Sequence, residues 1–177
     1  MKVVLKSDPD LDFFIGFLGG EEIPTKQDWF VQMVGYKFTK VEEDGTETEM
    51  DDFDFYFKRK TGNNLKKFSD TFKAQIQENL KTGHPYKKPE KLEVIISVSM
   101  DEERLENVDV DNLAKTILDC FKGLVFEDDS QVVSLIVSKD INGFYPINGL
   151  LVGIRRLSNK QSWTGGMKLA YLEELKE

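Results

Sequence analysis

Between residues 92 and 139 the chain reads as a strand, a helix and a second strand in close succession, and this order limits the fold more than any other feature. LEVIISVSM (92–100) is a β-branched run of strand length. DEERLENV (101–108) is polar and reads as a connection. From about Val110 to Lys122, the residues Leu113, Ile117, Cys120 and Phe121 recur at helical spacing, and Gly123 follows as a stop. QVVSLIVSK (131–139) is again strand-like.

The flanking segments extend this pattern. FFIGFLGG (13–20) reads as a buried strand, and GLLVGIRRL (149–157) as the last one, after an Asn142-Gly143 turn. In FSDTFKAQIQENLKTG, Phe68, Phe72, Ile76 and Leu80 define another helix, with Ser69 as its expected cap and Gly83 as its stop. The fold expected is α+β, a mixed β-sheet with two main helices packed on one face. WFVQMVGYKFTKV (29–41), the hairpin signal Asp44-Gly45 and FDFYFKRK (53–60) predict a β-rich insertion across roughly 29–60. Residues 1–157 then form one domain, and 158–177 a C-terminal extension.

Composition excludes several classes. At 40% hydrophobic and 32% charged, the chain of 177 residues is globular and not disordered. No segment is long enough to span a bilayer, the first residues lack a signal-peptide run, and one cysteine makes no disulfide framework, so a cytoplasmic protein without membrane association is expected. Gly19-Gly20 begins neither a Walker pattern nor a dinucleotide fingerprint, so no nucleotide cofactor is expected. The net charge is −8, but it is unevenly spread. Residues 58–100 carry 10 Lys/Arg against 4 Asp/Glu, a local basic region in an acidic chain.

The chemistry-bearing residues lie around the helix from Val110. Asp109 stands just before it, near its positive end. Asp111 and Lys115, four apart, share a face that points away from the Leu113/Ile117/Phe121 face. Asp128 and Asp129 lie in the turn before the next strand. Three or four carboxylates and an ammonium on two adjoining elements suit a hard divalent cation with a phosphate beside it. Taken singly, each has a plainer reading: a helix cap, a surface ion pair, ordinary turn composition.

The order D-x-D-N-x-x-K-x-x-x-D, a glycine-ended helix, then D-D-x-Q-V entering a strand, resembles the RusA-family Holliday junction resolvases over about 109–139. The Pro24-Thr25-Lys26 loop and the order of strands and helices are similar too. The resemblance implies a small homodimeric endonuclease that cuts four-way DNA junctions symmetrically with Mg2+, for which Mn2+ substitutes. It carries the acidic metal ligands onto Asp109, Asp111 and Asp129 and the essential lysine onto Lys115. Asp128 becomes a neighbour of the metal and Asp119 a supporting group, while Asn112 and Gln131 match the motif without an assigned role. DNA contacts are expected at Lys58, Arg59, Lys60, Lys66 and Lys67, with Arg155 and Arg156 as further phosphate-contact candidates.

The chain also departs from that family. DEERLENV is acidic where the resolvases commonly carry several arginines, and the N-terminal loop reads IPTKQ in place of a form ending in Asn-x-Arg. Residues 36–60 look like an insertion. Two rival readings follow: a nuclease for other branched or single-stranded DNA, and a non-catalytic DNA-binding module of the same fold.

Overall fold

The structure is a computed structural model and describes residues 7–18, 22–32, 38–50, 56–58, 64–141 and 148–157. Strand β1 (Phe13–Leu18) is followed by a 3-10 turn, Lys26–Trp29, and by four short strands: β2 (Phe30–Gln32), β3 (Phe38–Val41), β4 (Glu47–Met50) and β5 (Tyr56–Lys58). Helix α1 (Asn64–Glu78), β6 (Lys91–Met100), α2 (Glu102–Asn107), α3 (Val110–Phe121), β7 (Val132–Ile141) and β8 (Gly149–Leu157) complete it.

The main sheet has the order β1-β8-β6-β7. β8 runs antiparallel to both β1 and β6, whereas β7 runs parallel to β6. A parallel neighbour needs a crossover, and α2 with α3 supplies it. The sheet is therefore mixed, as the sequence predicts. One face carries Phe13 and Ile15, Leu150, Val152 and Ile154, and Leu92, Val94, Ile96 and Val98, all buried. Phe68, Phe72 and Ile76 of α1 and Leu113, Ile117, Cys120 and Phe121 of α3 complete the same core. Ring contacts tie the layers: Phe72 meets Phe121 at 5.6 Å and Phe121 meets Phe13 at 6.1 Å. Each fully buried side chain of this kind contributes roughly 1.5–3 kcal/mol. Burial also pushes the Cys120 thiol pKa up, consistent with a packing role.

Where the sequence predicts a β-rich insertion, the described residues form two separate antiparallel pairs, β2 with β5 and β3 with β4. Gly45 takes φ +83 in the turn between β3 and β4, as Asp-Gly requires. Trp29 ends the 3-10 turn and does not begin a strand.

Three other expectations change. Helix α1 begins at Asn64, because Leu65, Lys66 and Lys67 extend it, so Ser69 lies inside the helix and is no cap. Gly83, with φ +106, serves a turn beyond the helix end at Glu78. DEERLENV contains a helix: Asp101 caps α2 by accepting from the Arg104 N–H at 2.8 Å. The Asn142-Gly143 turn, Arg59, Lys60 and the extension 158–177 fall outside the described residues. Among the described residues no helix is long and apolar enough to cross a membrane.

Candidate active site

Asp109 is the N-cap of α3 by position, with φ −80 and ψ 139, yet its side chain makes no capping hydrogen bond. Among the described residues its carboxylate meets only the Asn112 Nδ2 donor, at 3.5 Å. Asp111 and Lys115 lie exposed on successive turns, without a salt bridge between them. Asp119, one turn further, pairs with Lys26 at 3.7 Å. The outward ridge of α3 thus carries Asp111, Lys115 and Asp119, opposite the buried ridge of Leu113, Ile117 and Phe121.

Several distant groups brace this end of α3. Gln27 Oε1 lies 3.4 Å from the Asp109 backbone N–H donor and 3.3 Å from Asn112 Nδ2. Asp28 accepts from the Thr25 N–H at 2.6 Å, which fixes the turn that carries Gln27. The Arg104 guanidinium grips Asp28 at 2.6 and 2.8 Å and also donates to the Ile23 carbonyl at 3.0 Å. Charge-assisted, paired bonds of this kind are the strong ones. Lys139 Nζ donates to the Leu105 and Val108 carbonyls, each at 2.7 Å, and so ties β7 to the residue before Asp109.

The other end of α3 is built differently. Gly123 takes φ +78 and closes the helix, as its position in the sequence suggests. Asp128 caps the 3-10 turn Asp129–Gln131, accepting from the Ser130 N–H at 3.1 Å. Gln131 is 3% exposed. Its Oε1 accepts from the Glu127 and Asp128 N–H groups at 3.0 Å, and its Nε2 donates to the Tyr86 and Glu90 carbonyls at 3.2 and 3.3 Å. The motif glutamine is therefore the buried hub that fixes the Asp128–Asp129 turn on the loop before β6.

Lys122 Nζ lies 3.0 Å from Asp128 Oδ2 and 3.0 Å from Asp129 Oδ1. The hydrogen bonds from Ser130 and Lys122 hold the Asp128 carboxyl well below the usual carboxylate range. The same two aspartates raise the Lys122 pKa.

Asp109 and Asp111 thus stand at one end of α3, and Asp128 and Asp129 beyond the other. A helix of 12 residues rises about 18 Å. Among the described residues no three His, Cys, Asp or Glu side chains gather closely enough to hold a metal ion. The close approach of Asp109, Asp111 and Asp129 expected from the sequence is therefore not found within one chain. Their donor chemistry nevertheless suits magnesium, which prefers hard carboxylate oxygens. The Asp128–Asp129 pair already accepts a cation, the Lys122 ammonium.

Of the proposed DNA contacts, Lys66 and Lys67 are exposed in the first turn of α1 and Lys58 lies in β5. Arg155 and Arg156 are committed elsewhere: Arg155 pairs with the buried Glu93, and Arg156 bonds Asp12 at 3.3 Å and lies over the Tyr86 ring. Gln27, Arg104, Lys122 and Lys139 are site residues that motif reasoning passes over. Only Asp101, three residues before Arg104, and a lysine just before Gly123 left a local signal; the partners of Gln27 and Lys139 are distant in the chain.

No curated protein matches this chain. The family model described as Endodeoxyribonuclease RusA matches residues 38–150, well over half of the 177 residues. That span runs from β3 into β8 and includes both ends of α3 with every motif aspartate. The chain belongs to the RusA endodeoxyribonuclease family.

Proposed function

We propose that the protein is a magnesium-dependent, structure-selective endodeoxyribonuclease that resolves Holliday junctions by paired phosphodiester hydrolysis in DNA recombination and repair. The observation that carries this reading is the state of Asp109. It occupies the N-cap of α3 but spends no carboxylate oxygen on the backbone, and only a long bond from Asn112 reaches one of its oxygens among the described residues, so the carboxylate stands exposed beside Asp111 and Lys115.

Asp109 and Asp111 of one copy, with Asp129 of the partner subunit and Asp128 beside it, would hold Mg2+ or Mn2+, since α3 keeps the two groups apart within one chain. When bound, the ion supplies Lewis-acid polarisation of the scissile phosphate. Lys115 contributes a fixed positive charge to the phosphorane as it forms, and it carries no salt bridge to Asp111 that must break first. Gln131 keeps the Asp128–Asp129 turn in place, and Gln27 and Lys139 steady the start of α3. Lys66 and Lys67, together with Lys58, Arg59 and Lys60, grip phosphates of the junction arms. A homodimer matches the two-fold symmetry of a four-way junction and supplies two cutting sites.

A second reading, cleavage of another branched or flapped DNA, is favoured by α2. Its one arginine is turned inward onto Asp28, while Glu102, Glu103 and Glu106 are exposed next to the start of α3. This surface repels duplex arms where the family commonly places arginines. The test is cleavage of a synthetic four-way junction beside linear duplex, fork and flap, with Mg2+ and with chelator. The proposal expects paired nicks in the junction only with the metal. Preference for flap or fork selects the second reading, and no cleavage of any substrate contradicts both.

A further inference from the structure

Asp128 and Asp129 are neighbouring carboxylates, and like charges this close repel unless a cation stands between them. The chain supplies that cation itself. Lys122 Nζ lies 3.0 Å from Asp128 Oδ2 and 3.0 Å from Asp129 Oδ1. Lys88 adds a longer contact to Asp128, at 3.5 Å. Asp128 also caps its turn through the Ser130 N–H, whereas among the described residues the Asp129 carboxylate pairs with Lys122 alone.

The carboxylates and the ammonium are held with unequal firmness. Four hydrogen bonds of the buried Gln131 side chain fix the turn. The root of Lys122 is fixed too, since its backbone N–H donates to the Leu118 carbonyl at 3.1 Å and Gly123 closes the helix behind it. Its head is not: the side chain is 44% exposed, its four-carbon stem is flexible, and ion pairs open to water are weak. Fixed carboxylates with an easily released ammonium make a site where one cation can be exchanged for another.

We infer that Lys122 is a resident stand-in for the divalent cation: it neutralises Asp128 and Asp129 in the free protein, releases them when the ion binds, and turns its ammonium to the adjoining DNA phosphate. The inference rests on the nuclease reading above and names how that site changes partners on loading. A phosphate beside the cation is within reach of a long side chain that already touches Asp129. Leaving the aspartates therefore adds a positive charge to the DNA surface as the aspartates themselves are neutralised. Cation and DNA then strengthen each other's binding by the same factor, as linkage requires.

The test is Lys122→Met in the full chain, which keeps an unbranched stem and removes the charge. In calorimetric titration without DNA, this variant binds Mn2+ about three- to tenfold more tightly than the unsubstituted protein, because no ammonium has to be displaced. Lys122→Arg stays near the unsubstituted value, and Lys88→Met shifts it less than Lys122→Met does. A merely structural Lys122 predicts the opposite sign, since a loosened turn binds Mn2+ more weakly. The second readout is affinity for a labelled four-way junction with and without Mn2+, in a Lys115→Ala background so that the DNA is cut slowly. Mn2+ raises this affinity several-fold less once Lys122 is replaced by Met. A Lys122→Met protein that binds Mn2+ no more tightly, or whose junction affinity gains as much from Mn2+, overturns the inference, as does an unsubstituted protein and variant that both ignore Mn2+. If both shifts appear while the protein with Lys115 intact cuts no DNA, the stand-in role holds and the nuclease reading falls.

Discussion

The two ends of α3 carry the same residue type and put it to opposite use. At the N-terminal end, Asp109 and Asp111 face solvent, and the Asp109 carboxylate makes no capping bond to the backbone. At the C-terminal end, Asp128 accepts from the Ser130 N–H and shares the Lys122 ammonium with Asp129. The supports differ as well. Residues distant in the chain hold the first end: Gln27, the Arg104–Asp28 pair and Lys139. Lys122 and Gln131, both close to the turn in the chain, hold the second directly, with Gln131 anchored in turn to the Tyr86 and Glu90 carbonyls and Lys88 reaching Asp128 at 3.5 Å. An aspartate before or after a helix is thus not a functional sign in itself. Asp101 and Asp128 serve the backbone, whereas Asp109, in a similar position, does not.

If the idle carboxylates are the working ones, their removal has the largest effect. Asp109→Asn or Asp111→Asn is expected to lower junction cleavage roughly 10^3-fold or more. Each leaves affinity in chelator equal or higher, because a charge that repels phosphate is gone. Parallel cleavage and binding titrations check this, and a matching loss of affinity would make these residues DNA contacts instead.

Lys115→Ala comes next, with cleavage falling on the order of 10^2–10^3-fold. Binding to the junction changes little, since Lys115 acts on charge that develops only in the transition state. Equal losses of binding and cutting would reduce it to an ordinary phosphate contact.

At the C-terminal end, Gln131→Ala removes four side-chain bonds; Glu127 N–H and the Tyr86 carbonyl keep each other at 3.1 Å, whereas the Asp128 N–H and the Glu90 carbonyl lose their Gln131 partner. The substitution is expected to cost about 2–3 kcal/mol of stability, measured by urea unfolding. By contrast, Gln27→Ala at the N-terminal end removes only long contacts to partly exposed groups, and the melting temperature should scarcely move. A larger loss at Gln27 than at Gln131 would reverse the ranking of the two braces.

The smallest effect concerns pH. The folded pKa of Asp128 is lowered, so its stabilisation is complete above the ordinary aspartate value and fades as pH falls through the folded one. That of Lys122 is raised, so its share is complete below the ordinary lysine value and fades above it. Asp128→Asn should therefore lower the melting temperature slightly between about pH 5 and 9, with a difference that begins to narrow only as pH falls below the ordinary aspartate value toward the lowered folded one.

The sequence makes much of this legible. Periodicity locates β6, α3, β7 and β8 because each buries a continuous apolar face, and glycine at 123 marks the helix end through its backbone freedom. The motif spacing gathers the right residue types. It leaves hidden the long-range braces, since nothing local to Gln27 or Lys139 specifies a partner more than 30 residues away. It also leaves hidden that a straight helix holds Asp109 and Asp129 apart, because spacing in sequence counts residues and α3 converts them into distance. Short polar α2 escapes a periodicity argument altogether, and only its cap residue Asp101 betrays it.

The account turns on whether carboxylates at both ends of α3 serve one cation. Calorimetric titration of Mn2+ into the unsubstituted protein, Asp111→Asn and Asp129→Asn tests this most directly. The expected result is a single class of tight site that either substitution removes. An Asp129→Asn protein that binds Mn2+ as tightly as the unsubstituted chain would contradict it.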